Sequence, residues 1–183
     1  MNRILFLLIF FFFSFNCGKA NETTNPEKNE AQNTDTKTEN ADSIKAPDFT
    51  FENVDGNIHT LSDYKGKVVV LNFWVIHCPA CRVEISGLMK LNEKHKDKEL
   101  VILGIGIDKN TDNLKAFSKY NQINYPILLG DMATAIEYSI KAVPTTFVMN
   151  REGDLTDTII GYNARIGKKL EERLLELLEN EDE

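Results

Sequence analysis

Two cysteines in the run Cys78-Pro79-Ala80-Cys81 lie where the sequence changes from a strand pattern to a helix pattern. Before them, residues 67–75 form a continuous apolar run rich in β-branched and aromatic side chains, which is typical of a strand covered on both faces. After them, residues recur at the spacing of one helix face: Cys81, Glu84, Ile85 and Leu88. The sequence therefore predicts a dithiol at the start of a helix that follows a central strand.

This placement suits thiol-disulfide exchange, because the reacting species is a thiolate and a helix N-terminus favours an anion. We predict that Cys78 is the nucleophile and that Cys81, one turn further and facing inward, is the resolving thiol. Such exchange needs no cofactor, and we expect none. A structural disulfide or half of a metal site is the alternative. A bridge of so short a span restricts the unfolded chain little, and the sequence has no second cysteine pair to complete a zinc site.

The remaining pattern predicts a single α/β domain. Short extended runs flank an Asp-Gly turn signal, and later strand patterns alternate with helix patterns, which implies parallel pairing and crossover helices. The predicted elements are an edge hairpin over 49–61, strands at 67–75, 101–107 and 127–129, helices from 79, over 111–121 and around Ile136, a closing hairpin over 145–160 and a final helix over 166–178. The closing hairpin makes the predicted sheet mixed.

The N-terminus has the layout of a secretory signal, with Arg3 before an apolar run over residues 4–15. That run is too short to cross a bilayer core of about 30 Å as a helix. Ser14-Phe15-Asn16-Cys17 resembles a bacterial lipobox, so residues 1–17 are interpreted as a signal peptide ending in a lipid-anchored Cys17. The alternative is an ordinary cleaved signal that leaves a stray thiol.

Residues 18–46 consist of Asn, Thr, Glu and Lys with hardly any large apolar side chain. Such a segment cannot bury enough surface to offset the entropy of ordering, so we predict a disordered tether followed by one domain over 47–183. The expected location is the cell envelope or periplasm, with the lipid anchor on a membrane. The net charge of -7 and the lack of a long basic run argue against a nucleic-acid partner.

Five segments in order resemble the TlpA/ResA-like thioredoxin-family thiol-disulfide oxidoreductases of the bacterial envelope, over most of the span from Ala46 to Glu183. The segments are Ala46-Pro47-Asp48-Phe49, Leu61-Ser62-Asp63-Tyr64-Lys65-Gly66-Lys67, Phe73-Trp74, Cys78 through Glu84, and Val143-Pro144-Thr145-Thr146-Phe147. The resemblance implies a thioredoxin-like fold: a central mixed β-sheet flanked by helices, with an N-terminal β-hairpin extension.

The resemblance also implies that the Val143–Pro144 bond is cis and lies beside the cysteines. Backbone groups of Val143 would then pair with an extended substrate segment. Cis peptide bonds are rare, but before proline the cis form costs little energy. An ordinary proline at a strand edge is the alternative. Trp74 and Pro79 are the further expected substrate contacts.

Glu84 shares the inward face with Cys81, so burial should raise its pKa, and it matches the acidic residue thought to assist proton movement in this family. The alternative is a Glu at the rim of the face, paired with Arg82 or Lys90. His77 precedes the nucleophile; a proton on it would favour the thiolate, and the alternative is an exposed polar residue without a role.

Two smaller observations complete the site. His59 and His95 are expected at the surface. Ala80 stands where the family often has proline, so the resemblance leaves the redox potential undetermined.

The resemblance implies a membrane-tethered, monomeric reductase of disulfides in exported proteins, for example apocytochromes, that depends on a membrane electron donor. An oxidase or isomerase would use the same residues. A peroxiredoxin-like peroxidase needs Pro and Thr or Ser where Leu71 and Val75 stand, and copper delivery needs a later histidine, whereas His95 is the last. A non-catalytic binding module with vestigial cysteines is the remaining alternative.

Overall fold

The computed structural model of the chain describes residues 44–179. Its strands are β1 (Thr50–Glu52), β2 (Ile58–Thr60), β3 (Val68–Trp74), β4 (Leu100–Gly106), β5 (Ile127–Leu129), β6 (Thr145–Met149) and β7 (Leu155–Ile160). Its helices are α1 (Pro79–Lys94), α2 (Thr111–Tyr120), α3 (Met132–Glu137) and α4 (Ala164–Glu179), with a 3-10 turn over Leu61–Tyr64.

The strand predicted before the cysteines is β3, and it occupies the centre of a five-stranded sheet in the order β5-β4-β3-β6-β7. All of its residues are buried, as expected for a strand without apolar/polar alternation. β3 pairs in parallel with β4 and antiparallel with β6, so the sheet is mixed. β1 and β2 form the separate two-stranded sheet of the predicted N-terminal hairpin. The predicted fold class is confirmed.

Two hydrophobic cores lie against the sheet. The first joins alternate residues of β3 to the inward faces of α1, α2 and α4; its main side chains are Val68, Val70, Trp74, Ile85, Leu88, Leu114, Leu170 and Leu174. The second joins the other residues of β3 to the N-terminal hairpin and the segment around α3; it includes Phe49, Leu61, Leu71, Phe73, Leu103, Tyr138 and Phe147. We call them the helix-side core and the hairpin-side core.

The described part of the chain begins beside the turn between β6 and β7. The carbonyl of Ile44 accepts a hydrogen bond from the backbone N–H of Leu155 at 2.9 Å. Lys45 forms an ion pair with Asp154, and its Nζ donates to the carbonyl of Glu152 at 2.8 Å. The tether was predicted to run through residue 46, but these contacts fix the chain before Pro47. The rest of that segment, the predicted signal peptide and Cys17 lie outside the described residues.

One prediction about exposure differs from the structure. His95 was expected at the surface, but it is 5% exposed because α4 packs against the end of α1. Its Nε2 lies 3.7 Å from a carboxylate oxygen of Glu171. By contrast, Ile136 on α3 is 71% exposed. Among residues 44–179, no helix combines the length and apolar character required to traverse a bilayer.

Candidate functional site

Cys78 is the N-cap residue of α1, directly after the short loop that follows β3. Two side chains fix this loop through Ile76: Asp108 accepts a hydrogen bond from its N–H at 3.0 Å, and Arg82 donates to its carbonyl at 2.9 Å. Pro79 occupies the first helical position, where the N–H that proline lacks would have no partner within the helix. The start of the helix is therefore held in place from both sides of the cysteine.

Cys78 and Cys81 form a disulfide, so the structure is that of the oxidised protein. The two sulfurs differ in access, because Cys78 is half-buried whereas Cys81 is fully buried. The backbone N–H of Cys81 donates to Sγ of Cys78 at 3.1 Å. After reduction, the same N–H and the helix N-terminus would stabilise a thiolate on Cys78, the sulfur that outside molecules can reach.

The loop before β6 forms the other wall of the site. Its Val143–Pro144 peptide bond is cis, and the carbonyl oxygen of Val143 lies 3.7 Å from Sγ of Cys78. Oγ1 of Thr145 donates to the carbonyl of Ala142 at 2.7 Å, and the N–H of Gly161 donates to the carbonyl of Pro144 at 2.8 Å. These bonds hold a backbone edge beside the accessible sulfur, where an extended peptide could pair with it.

Glu84 lies one turn after Cys81 on the buried face of α1 and is 1% exposed. Nδ2 of Asn72 donates to its Oε2 at 2.8 Å, and Oγ1 of Thr146 donates to its Oε1 at 2.8 Å. Nδ2 of Asn72 also donates to Oγ1 of Thr146 at 2.9 Å, which closes a three-residue network. Asn72 and Thr146 face each other across the β3–β6 pairing, so the sheet presents both donors to one carboxyl group.

Burial raises the pKa of Glu84 to about 7, although the hydrogen bonds from Thr146 and Asn72 act to lower it. The cost of removing the charge from water is therefore larger than the effect of the two donors. A carboxyl group in this range can accept and release a proton near neutral pH. Arg82 and Lys90, the alternative partners considered from the sequence, lie among the exposed residues of α1.

The other predicted site residues fall into two groups. His77 and Pro79 are exposed on either side of Cys78, where they can meet a partner molecule. Trp74 has no exposed surface, so the expectation that it contacts substrate is not met. Its ring packs against Phe117 at 5.4 Å between centroids. The side chain of Trp74 belongs to the helix-side core because it points inward from β3.

The sequence analysis did not anticipate the contacts that Asn72, Thr146, Arg82 and Asp108 make at the site. One signal for Asn72 was available, since it is the one polar residue within the apolar run 68–74. A buried polar side chain inside a strand needs a partner, and here that partner is Glu84. Within residues 44–179, no cluster of three or more His, Cys, Asp or Glu side chains is arranged to hold a metal ion.

Residues 43–158 of the sequence match the AhpC/TSA family. The chain belongs to the AhpC/TSA family. The chain is 30% identical over 133 residues to the thioredoxin-like protein YneN of Bacillus subtilis. That alignment covers 71% of this chain and 76% of YneN. The chain is also 33% identical over 123 residues to the thiol-disulfide oxidoreductase ResA of Bacillus cereus, covering 66% of this chain and 70% of ResA.

The same relationship is visible in solved structures. A putative thiol:disulfide interchange protein DsbE from Chlorobium tepidum superimposes on this AhpC/TSA-family chain with a TM-score of 0.70 at 28% identity. The match covers 74% of this chain and 96% of the other. Together with the Cys78–Cys81 pair, these relatives identify the protein as a thioredoxin-like thiol-disulfide oxidoreductase.

Proposed function

We propose that the protein is a membrane-tethered reductase of disulfides in exported proteins. The observation that carries the proposal is the arrangement at the start of α1, where the accessible sulfur of Cys78 adjoins the Val143 carbonyl while Cys81 is buried behind it. This arrangement lets a partner reach one sulfur only. The second cysteine then acts after the partner has been bound.

In the first step, the Cys78 thiolate attacks one sulfur of a substrate disulfide. The substrate S–S bond breaks as a bond between Cys78 and the substrate forms, and the other substrate sulfur leaves as a thiolate that takes a proton from water. The N–H of Cys81, 3.1 Å from Sγ of Cys78 in the oxidised form, stabilises the attacking anion. The cis loop at Val143–Pro144 offers its backbone to the substrate segment around this bond.

In the second step, Cys81 transfers its proton to the carboxylate of Glu84 and attacks the sulfur of Cys78. The mixed disulfide breaks, the second substrate thiolate leaves and takes a proton, and the Cys78–Cys81 bond forms. Two electrons have then passed from the dithiol to the substrate. Glu84 suits this task because it lies one turn from Cys81 on the same buried face and has a pKa of about 7.

The cycle closes when a membrane electron donor, itself a dithiol, reduces the Cys78–Cys81 disulfide. His77, exposed beside the nucleophile, would increase the thiolate fraction of Cys78 whenever it carries a proton. The sequence of residues 1–46 supports a membrane-tethered location: we propose a signal peptide over 1–17, lipid attachment at Cys17, and a tether over 18–46 that lets a monomeric domain meet exported proteins in the envelope. Apocytochromes in cytochrome c maturation are the substrate class that we favour.

The test is the equilibrium reduction potential of the full chain in mild detergent, titrated against a thiol buffer and followed by Trp74 fluorescence. A potential near the value of about -270 mV found for thioredoxin is expected for a reductase. A potential near about -120 mV would reverse the direction and make the protein a thiol oxidase. Cys78→Ser is the control, since it should abolish the transition, and a wild type without reversible two-electron titration would refute thiol exchange altogether.

A further inference from the structure

Tyr162, in the turn between β7 and α4, inserts its hydroxyl between two helices at the positions of two glycines. A Cβ atom placed at Gly87 of α1 would overlap this hydroxyl and lie 3.0 Å from Cζ of the ring. A Cβ placed at Gly167 of α4 would overlap the same hydroxyl and lie 2.9 Å from Cζ. The ring therefore fills a slot that exists because both helices lack a side chain there.

The two glycines are unfavourable choices for helix interiors. Each costs about 1 kcal/mol relative to alanine in an exposed helix, and neither residue is needed to end its helix. The close approach of Tyr162 explains both of them at once. The slot is thus a built feature of the α1–α4 contact.

The slot adjoins Glu84. Gly87 follows Glu84 by three positions on α1, and side chains three apart on a helix are neighbours, with about 5–6 Å between Cβ atoms. The pKa of Tyr162 is raised by its partial burial and, second, by the negative charge of Glu84. The charge of the Glu84 carboxylate therefore acts on the Tyr162 hydroxyl.

Other elements cover the remaining sides of Glu84. Asn72 on β3 and Thr146 on β6 bond its oxygens, and Cys81 precedes it on α1. Tyr125, from the segment before β5, is buried within reach of its charge, because that charge contributes to raising the pKa of Tyr125. Tyr162 differs from all of these groups in being half-buried rather than buried.

Water reaches the outer side of Tyr162. The tyrosine lines a surface hollow of about 360 Å³ together with both slot glycines. Charged side chains surround this hollow: Lys90, Lys94, Lys168 and Glu171. Glu84, whose charge contributes to raising the pKa of Tyr162, is itself only 1% exposed. Tyr162 is therefore the neighbour of Glu84 that water can reach.

We propose that Tyr162 is a positioning residue that seals Glu84 from solvent by wedging its ring between Gly87 and Gly167. The inference rests on the proposed role of Glu84 as the proton acceptor of Cys81. Without the wedge, water would enter between two residues that have no side chains to exclude it. Glu84 would then become an ordinary carboxylate at neutral pH and would lose its capacity to take up a proton.

The test is a direct titration of the Glu84 carboxyl in the oxidised full chain, by carbon NMR of labelled glutamate, between about pH 4 and about pH 9. Glu84→Gln identifies the signal. For Tyr162→Ala we expect at least a tenfold increase in the acidity of Glu84. For Tyr162→Phe, which keeps the ring but removes the hydroxyl that lies between the two glycines, we expect a shift in the same direction that is clearly smaller than that of Tyr162→Ala. Tyr120→Ala on exposed α2 is the matched control and should match the wild type.

Two results would overturn the proposal: Tyr162→Ala titrating like the wild type, or Tyr162→Phe shifting as far as Tyr162→Ala. If Tyr162→Ala does not melt cooperatively, Tyr162→Leu replaces it, because leucine is too short to enter the slot; it should shift the midpoint in the same direction, and the absence of a shift would overturn the proposal. The measurement uses no thiol chemistry. A failed redox titration would refute the proposed function, whereas an unshifted carboxyl would refute the wedge alone.

Discussion

The two cores on opposite faces of the same sheet are built differently. On the hairpin side, β3 contributes Val69, Leu71 and Phe73 to a core of aromatic and aliphatic side chains, in which the rings of Phe73 and Tyr138 lie 5.0 Å apart. On the helix side, the alternate residues of β3 include Asn72, which bonds the buried Glu84. The face of β3 on the hairpin side is therefore entirely apolar, whereas its face on the helix side combines apolar side chains with one buried amide.

The polar groups buried on the helix side need hydrogen-bond partners that the hairpin-side core does not need. Burying a carboxyl group and an amide on the helix side is unfavourable unless both are hydrogen-bonded, and here they bond each other and Thr146. The hairpin-side core contributes to the free energy of unfolding through apolar burial. We therefore expect substitutions at the helix-side site to change thiol exchange or the titration of Glu84, and substitutions in the hairpin-side core to change mainly the free energy of unfolding.

The largest effect is expected on the helix side from Cys78→Ser, which removes the accessible sulfur. Reduction of insulin disulfides should fall by at least about a thousandfold, as when a nucleophile is removed from other enzymes. Stability should change little relative to the reduced wild type, because Cys78 is half-buried at a helix end. Cys81→Ser is the companion variant, and it should accumulate a mixed disulfide with substrate. Substantial turnover by Cys78→Ser would show that another group carries the reaction.

On the hairpin side, Leu103→Ala should lower the free energy of unfolding by about 2–5 kcal/mol, because it leaves a cavity at a fully buried position. The measurement is urea denaturation of the oxidised protein. The reduction potential of the folded fraction should match the wild type. A shifted potential with little loss of stability would mean that the two cores are not separate in function.

The next largest effect is expected in the pH dependence of stability, to which Glu84 on the helix side of the sheet contributes. The pKa of Glu84 is about 7 in the folded protein and near its ordinary value of 4.5 when unfolded, so the folded state binds more protons between these values. The stabilisation from protonated Glu84 is complete below the lower value and is lost as the pH rises through about 7; it amounts to roughly 3 kcal/mol.

Glu84→Gln should remove this component. We expect the difference in unfolding free energy between wild type and variant, measured by urea denaturation, to change with pH across that window and to be flat outside it. The difference is the informative quantity because Asp131 and Glu171, whose pKa values are lowered, contribute in the opposite direction at lower pH. A flat difference across the whole range would mean that folding does not change the pKa of Glu84.

The smallest effect is expected from Thr146→Val, which preserves shape and removes one donor to Glu84. Loss of a hydrogen bond to the charged form should raise the pKa of Glu84 further, by about one unit, equivalent to about 1.4 kcal/mol. Carbon NMR of the labelled carboxyl measures it. Thr145→Val, whose hydroxyl bonds Ala142 instead, is the matched control. A fall in the pKa would indicate that the substitution admits water to the site.

Local sequence was sufficient for the parts of the site that are contiguous. The cysteine pair, the strand before it and the helix after it lie within one short stretch, so their periodicities predicted both the elements and the burial of Cys81 and Glu84. The alternation of strands and helices likewise predicted parallel pairing with crossover helices. The fold class and the position of the dithiol at the start of a helix were therefore predictable.

The partners of Glu84 were not predictable in this way. Thr146 lies 62 positions from Glu84 and 74 from Asn72, and the three meet because β6 runs antiparallel beside β3 in a register that pairs Asn72 with Thr146. Local periodicity does not specify that register. The prediction that His95 is exposed was wrong for a related reason, since the burial of His95 depends on where α4 crosses the end of α1.

The entry of the chain at Ile44 has a practical consequence. This point lies by the β6–β7 turn, at the end of β6 that pairs with the start of β3, whereas Cys78 follows the other end of that strand, roughly 20 Å away. A surface or fusion partner attached upstream of Ile44 would hold the domain from the rear and leave its reactive end outward. Immobilisation on an electrode through a site directly before Ile44 should therefore preserve access to the dithiol, which would suit the protein to direct voltammetry.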